Sequence, residues 1–275
     1  MSSSSARSAI TPERPLVLVG AGKMGGALLE GWLSAGRAPQ TILVVDPDPV
    51  GPLMKTDGLR VVAEPPATPG AAVVLAVKPQ VMGEVLPAVK RVCDEATVVI
   101  SVAAGTTIAT LEALGPGPKV RTIPNTPSAV GKGMTVAVAV DAQEADIALA
   151  DDLLKAVGLV RWVDREELID PATAVSGSGP AYVFHLVEAL AEAGIKQGLP
   201  KDVAEVIARQ TIIGAGALLE ASALDPGTLR QNVTSPGGTT AAALGILADS
   251  GALRDLMGRA VDAATRRSRE LGAAD

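Results

Sequence analysis

The sequence predicts an α/β protein, with a doubly wound sheet in its first half and an all-helical second half, and three observations carry that reading. Short β-branched runs alternate with longer segments of helical spacing up to about residue 163. The first run leads directly into a glycine-rich turn, Gly20-Ala21-Gly22-Lys23-Met24-Gly25. After Asp164 the β-branched runs stop, and segments rich in Ala and Leu at helical spacing take over. The expected organisation is a flexible tail over residues 1–12, a first domain over 13–165 and a helical domain over 166–275.

Taken in order, the opening residues are Ser-rich and lack the apolar run of a secretory signal, which reads as a tail. Strands are expected at Leu16 to Val19, Ile42 to Val45, Val73 to Val77, Thr97 to Ser101 and Val120 to Ile123, each too short for a helix. Met24 to Leu33 and Val81 to Val92 have helical spacing between them, so the strands should be parallel with crossover helices. Thr135 to Val140 and Leu159 to Val163, flanking a helical stretch from Glu144 to Val157, would complete the sheet. In the second half, helices are expected near Ala181 to Lys196, Lys201 to Ala221, Thr239 to Ala248 and Leu253 to Glu270. Pro180 and Pro200 suit helix starts, and Gly194 and Gly198 loosen the turn between.

Helices this rich in Ala and Gly bury little bulk, so the second half should need a partner subunit, with self-association as a dimer or higher homo-oligomer. The chain has 275 residues, 48% of them apolar, enough for a sizeable core, but only Trp32, Trp162, Tyr182 and Phe184 are aromatic. Such an interface would rest on close helix contact. No apolar stretch approaches the ~20 residues of a membrane span. A net charge of -6 argues against a nucleic-acid partner. Cys93 is the one cysteine, which excludes an intrachain disulfide and points to a reducing cytoplasm; it reads as a buried structural thiol. No metal is expected.

The order strand, glycine turn, helix is the Rossmann-type dinucleotide fingerprint. Gly20 allows the tight turn, Gly22 lets backbone approach a pyrophosphate, and Gly25 lets the helix pack on the strand. The helix N-terminus then faces the anion. Asp46 ends the second strand, where a carboxylate accepts from the adenosine ribose hydroxyls and repels a 2'-phosphate. In Asp46-Pro47-Asp48-Pro49 it also reads as a solvated turn aspartate. Two further segments precede helices: Ser176-Gly177-Ser178-Gly179-Pro180-Ala181-Tyr182, and Asn232-Val233-Thr234-Ser235-Pro236-Gly237-Gly238-Thr239-Thr240. The second either holds a small carboxylate on unobstructed N–H groups or is a structural loop and cap.

With these pieces in place, the sequence resembles the pyrroline-5-carboxylate reductase family from about Pro15 to Leu271. The matching motifs are Gly20 to Gly26, Ala76-Val77-Lys78-Pro79, Ser101 to Gly105, Arg121 to Pro127, Ser176 to Tyr182 and Thr234 to Thr240. The resemblance implies reduction of the cyclic imine 1-pyrroline-5-carboxylate to proline, the last step of proline synthesis, with NADPH or NADH. It implies that Gly20, Gly22, Lys23 and Met24 line the pyrophosphate loop, that Val77, Lys78 and Ala104 surround the rest of the cofactor, and that Asn232 reaches it from the helical domain. It also implies that Thr239 and Thr240 hold the substrate, with Glu166 on the substrate side. Two departures bear on the cofactor: Asp46 stands where many relatives carry a small or basic residue, and an Asn common in the next loop is absent around Glu64. Asp46 favours NADH.

A protonated imine needs little from side chains, so positioning should dominate. Backbone N–H groups from Gly238 to Thr240 are expected to fix the carboxylate, and the Thr240 hydroxyl to orient the ring-nitrogen proton as the catalytic side chain. The lone His185 reads as core or interface packing, Lys78 as part of a turn around the cofactor, and Arg266, Arg267 and Arg269 as a solvated face. A β-hydroxyacid dehydrogenase would want a helical lysine acid, which Lys196 and Lys201 do not supply. An imine reductase is a closer alternative, since it shares the two-domain plan and the hydride chemistry, and a substrate without a carboxylate would favour it; a non-catalytic dinucleotide sensor would have no use for Thr234 to Thr240.

Overall fold

The computed structural model describes residues 9–273. Two compact units divide the chain: residues up to Gly177 with those from Ala264 onward, and Ser178–Ala263. The division thus falls later than the change in composition near residue 166, and the C-terminal residues return to the first unit. Residues 1–8 of the expected tail lie outside the described part. Ile10 packs against the core and the Thr11 N–H donates to Arg14 O at 3.1 Å, so ordered structure begins before residue 13.

The first unit opens with β1 (Leu16–Val19), α1 (Lys23–Ser34), β2 (Ile42–Val45), β3 (Arg60–Val62) and β4 (Ala72–Leu75). It continues through α2 (Met82–Val89), β5 (Val98–Ser101), α3 (Ile108–Leu111), β6 (Lys119–Ile123), β7 (Gly133–Val140), α4 (Glu144–Lys155), β8 (Gly158–Trp162) and α5 (Ile169–Ala172). The strands form one sheet in the order β3-β2-β1-β4-β5-β6-β7-β8. β1 and β2 have the bounds read from sequence, because each is a fully buried apolar run stopped by a turn former. β7 is one of the two strands expected to complete the sheet. It pairs antiparallel with β6, since only a 3-10 turn over Thr126–Val130 joins them and a parallel crossover needs a longer connection.

Alternation along the strands splits the core in two. Leu16, Leu18, Ile42, Val44, Val74 and Ile100 face Leu28, Leu29 and Trp32 of α1 and Leu153 and Leu154 of α4. Val17, Val19, Leu43, Val73, Leu75 and Val99 face Met82, Leu86 and Val89 of α2 and Ile108 and Leu111 of α3. The Trp32 indole N–H donates to Leu153 O at 2.8 Å, which satisfies the one polar atom of the largest buried side chain.

At the edge below β4, Arg14 grips Asp94 through both carboxylate oxygens, at 2.8 and 2.7 Å. That guanidinium holds the Asp94 carboxyl down at about 2. Beside it, burial pushes the Cys93 thiol up to about 11, and its Sγ hydrogen-bonds Val89 O at 3.5 Å, the environment of an inert structural thiol.

The second unit holds α6 (Gly179–Lys196), α7 (Lys201–Ala221), α8 (Pro226–Asn232), α9 (Thr239–Ala248) and the first part of α10 (Ala252–Gly272). Its described buried apolar side chains are the small Ala191, Ala204 and Ala208. Phe184, Val206, Ile213, Leu218, Ile246 and Leu256 stay exposed. This is the thin helical core that the composition implied. His185 is exposed on α6 and pairs with Glu188 at 3.1 Å, so the core half of its expected role is corrected. No described helix is long and apolar enough to cross a membrane.

The end of α10 packs on the first unit. The Ser268 hydroxyl donates to Asp170 Oδ1 at 2.7 Å, and Leu271 lies against Gly105.

Candidate dinucleotide cleft and substrate segment

Parallel register brings the carboxyl ends of β1, β2 and β4 together, pairing Val19 with both Val45 and Leu75. The residues that follow, Gly20, Asp46 and Ala76, therefore meet at one edge, on either side of the point where strand order reverses. They line a cleft of about 600 Å³ together with Gly22, Val77, Lys78 and Glu64.

Gly20 has φ +90°, and a side chain there would meet Val77 Cγ1 at 2.9 Å and Ala76 backbone at 3.0 Å. A Cβ on Gly25 would collide with Gly20 O, which is how closely α1 lies on β1. Gly22 is different: a Cβ there meets nothing within 4 Å. Its glycine is not required by protein packing, and the space before it opens on the cleft. Gly22 is also the N-cap of α1, with no side-chain cap and no acidic residue in the first turn. Amide N–H groups at Lys23 and Met24 are thus presented to an anion. The residues present fit a dinucleotide pyrophosphate.

Asp46 is fixed by two backbone donors. Its Oδ2 accepts from the Ala21 N–H at 2.7 Å and its Oδ1 from the Asp48 N–H at 2.9 Å. The turn reading of this residue is present in the structure, and the same carboxylate also braces the glycine loop. Lys78 is exposed at the start of the 3-10 turn that begins with Pro79. Ala104 lies beyond β5 at the same edge but outside the lining of the cleft. Sequence reasoning placed no strand at β3 and so missed the wall formed by Ala63, Glu64 and Pro65.

Glu166 sits elsewhere in the first unit. Its Oε1 accepts from Arg121 at 2.8 Å and from the Ile108 N–H at the start of α3, also at 2.8 Å. Arg121 is buried on β6 and reaches Asp170 at 3.6 Å as well. The described contacts of Glu166 are structural. Nearby, Asn125 joins β7 to the turn before α6, accepting from the Met134 N–H at 2.9 Å and donating to Ser176 O at 3.1 Å.

In the second unit, Asn232 ends α8, and the chain winds back on itself before α9. The Thr234 hydroxyl donates to Arg230 O at 2.6 Å, and the Gly238 N–H donates to Ser235 O at 3.0 Å. That last bond corrects one expectation: the Gly238 amide is used inside its own turn. Gly238 instead acts as N-cap of α9, without a side-chain cap, and leaves Thr239 and Thr240 as the first helical residues. Ala242 N–H is already bonded to Gly238 O at 3.1 Å, so the amides of Thr239, Thr240 and Ala241 precede the helical ladder.

Comparison with known proteins agrees with both halves of this description. Residues 166–271 match the family model for pyrroline-5-carboxylate reductase dimerisation, and residues 15–105 match that of coenzyme F420-dependent NADP oxidoreductases. Pyrroline-5-carboxylate reductase of Pseudomonas aeruginosa is 38% identical over 264 residues, covering 93% of this chain and 96% of its own. The solved structure of a pyrroline-5-carboxylate reductase from Coxiella burnetii superposes with a TM-score of 0.86 at 36% identity, covering 94% of this chain and 98% of the other. That of Plasmodium falciparum pyrroline carboxylate reductase with NADP bound gives 0.78 at 29% identity, covering 95% and 99%. A sheet with a glycine-loop cleft at its switch point, a helical unit, and similarity spanning nearly the whole length of each relative lead to one assignment: the chain belongs to the pyrroline-5-carboxylate reductase family.

Proposed function

We propose that this chain reduces 1-pyrroline-5-carboxylate to L-proline, as its relatives are named to do, taking hydride from NADH or NADPH. The observation that carries the reading is the coexistence of two uncapped helix N-termini, at Gly22 before α1 and at Gly238 before α9, in a chain 38% identical to a reductase over 93% of its length. The first suits a pyrophosphate and the second a small carboxylate.

When bound, the nicotinamide supplies the hydride. Gly20, Gly22, Lys23 and Met24 hold the pyrophosphate, Asp46 the adenosine ribose, and Val77, Lys78, Ala104 and Asn232 the remainder. Thr239 and Thr240 N–H groups, with Ala241 in place of Gly238, fix the substrate carboxylate. The Thr240 hydroxyl orients the proton on the ring nitrogen, which keeps the imine carbon electrophilic. Glu166 acts on the substrate side only through Arg121 and the start of α3. The apolar surface left open by α6 and α7 is covered by a second copy, and a reducing cytoplasm is the proposed location.

The test is consumption of NADH and, separately, NADPH on addition of 1-pyrroline-5-carboxylate, with proline identified as product. A cyclic imine without a carboxylate serves as the control. Comparable turnover of that control would replace this reading with general imine reduction, and dinucleotide binding without turnover of either would indicate a sensor.

A further inference from the structure

The wall of the cleft formed by β2 and β3 is acidic, and we infer that this chain discriminates by charge against a dinucleotide phosphorylated at its adenosine ribose 2'-hydroxyl, so that NADH binds in preference to NADPH. The inference rests on the reading of this cleft as the dinucleotide site.

Two carboxylates stand on that wall. Asp46 is held at the end of β2 by the Ala21 and Asp48 amides and cannot swing away without releasing the glycine loop. Glu64 follows β3, whose pairing with β2 brings it alongside: Val45 is opposite Val62, and the Asp46 N–H donates to Val62 O at 3.0 Å. Both residues line the cleft. A carboxylate has about four acceptor positions, and the described backbone donors use two of those on Asp46, which leaves room for ribose hydroxyls. A 2'-phosphate would bring about two negative charges to the same place.

The cations nearby leave the charge of Asp46 in place. Lys78 is the cationic residue among those lining the cleft, against Asp46, Glu64 and Glu84. It follows β4, two strands from β2 in the sheet, a separation of roughly 10 Å at ordinary strand spacing. That position favours the pyrophosphate, which both dinucleotides share. Arg91 meets Glu64 at 3.5 Å, but it is not part of the cleft lining, and both side chains are largely exposed. The discrimination therefore falls on the one group by which the two cofactors differ.

The experiment is a titration of the intact protein with NADH and with NADPH in the absence of substrate, read by nicotinamide fluorescence and by calorimetry. NADH is expected to bind at least about ten-fold more tightly at low salt, and the ratio to shrink between about 0.05 and 0.5 M salt, because exposed charges are screened. Asp46→Asn keeps an oxygen for the Ala21 amide while removing the charge, and Glu64→Gln leaves the glycine loop untouched. Each should narrow the ratio several-fold, mainly by tightening NADPH. Wild-type protein that binds NADPH as tightly as NADH, or a ratio unmoved in both variants, overturns the inference. Preference for NADH without turnover of pyrroline-5-carboxylate would leave it standing and remove the reductase reading; turnover with tighter NADPH binding would do the reverse. Protein that binds neither dinucleotide overturns both.

Discussion

Glu166 Oε1 is shared between the buried Arg121 guanidinium and the Ile108 N–H, each at 2.8 Å, so one carboxylate ties β6 to the start of α3. Removing it leaves Arg121 with Asp170 at 3.6 Å as its described ionic partner. Glu166→Ala should cost about 2–3 kcal/mol, read from urea unfolding, because a buried charge loses its closest counter-ion. Full stability combined with a raised KM for pyrroline-5-carboxylate would restore a direct substrate role.

Two glycines of the same loop should separate packing from cofactor binding. Gly25→Ala drives a methyl into Gly20 O and should destabilise the fold by about 1–3 kcal/mol. Gly22→Ala meets no protein atom within 4 Å, so thermal unfolding should stay close to wild type while dinucleotide affinity falls. Equal losses of stability in both variants would contradict the assignment of Gly22 to the pyrophosphate.

Thr240→Ala should lower kcat by about a hundred-fold with substrate saturating, and leave NADH affinity unchanged. Thr240→Ser should recover most of the rate, since it restores the hydroxyl. An unchanged kcat in Thr240→Ala would remove that hydroxyl from the mechanism.

The Arg14–Asp94 pair predicts a pH signature. The folded carboxyl titrates at about 2, below its ordinary value of 3.8, so its contribution is complete above that ordinary value and is lost as pH falls toward 2. With the pair partly exposed, Arg14→Ala should cost about 1 kcal/mol at neutral pH. The gap to wild type should close on acidification toward pH 2, as followed by circular dichroism.

Cys93, at about 11, should be nearly all thiol at pH 8, with thiolate in about one molecule in a thousand. A chromogenic disulfide reagent should therefore label folded protein slowly and unfolded protein at once. Rapid labelling of the folded chain would contradict the buried setting.

Where β-branched runs were buried and ended by a turn former, as at Leu16 to Val19 and Ile42 to Val45, the strand bounds were legible in the sequence because hydrophobic pattern and turn chemistry coincide. β3 was not: it is a three-residue edge strand, half exposed, with no alternation to read. α8 was overlooked although Asp225-Pro226 is a helix-start signal, and Asp225 does accept from the Gly227 and Thr228 amides. The glycine loop and Asp46 were legible because a fingerprint encodes local geometry. The partners of Glu166 were not, since Arg121 lies 45 residues upstream and no local pattern announces such a pair.

The return of the chain from Ala264 onward to the first unit bears on its synthesis. The Asp170 carboxylate receives the Ser268 hydroxyl, and Gly105 is covered by Leu271. The sheet can assemble as it emerges from the ribosome, but these contacts must wait until Ser268 and Leu271 have been added, after the whole of Ser178–Ala263. The unit that begins first is thereby completed only after Ser178–Ala263 has been made, and a message that stops after Gly177 would encode every described strand of the sheet yet leave these contacts unmade.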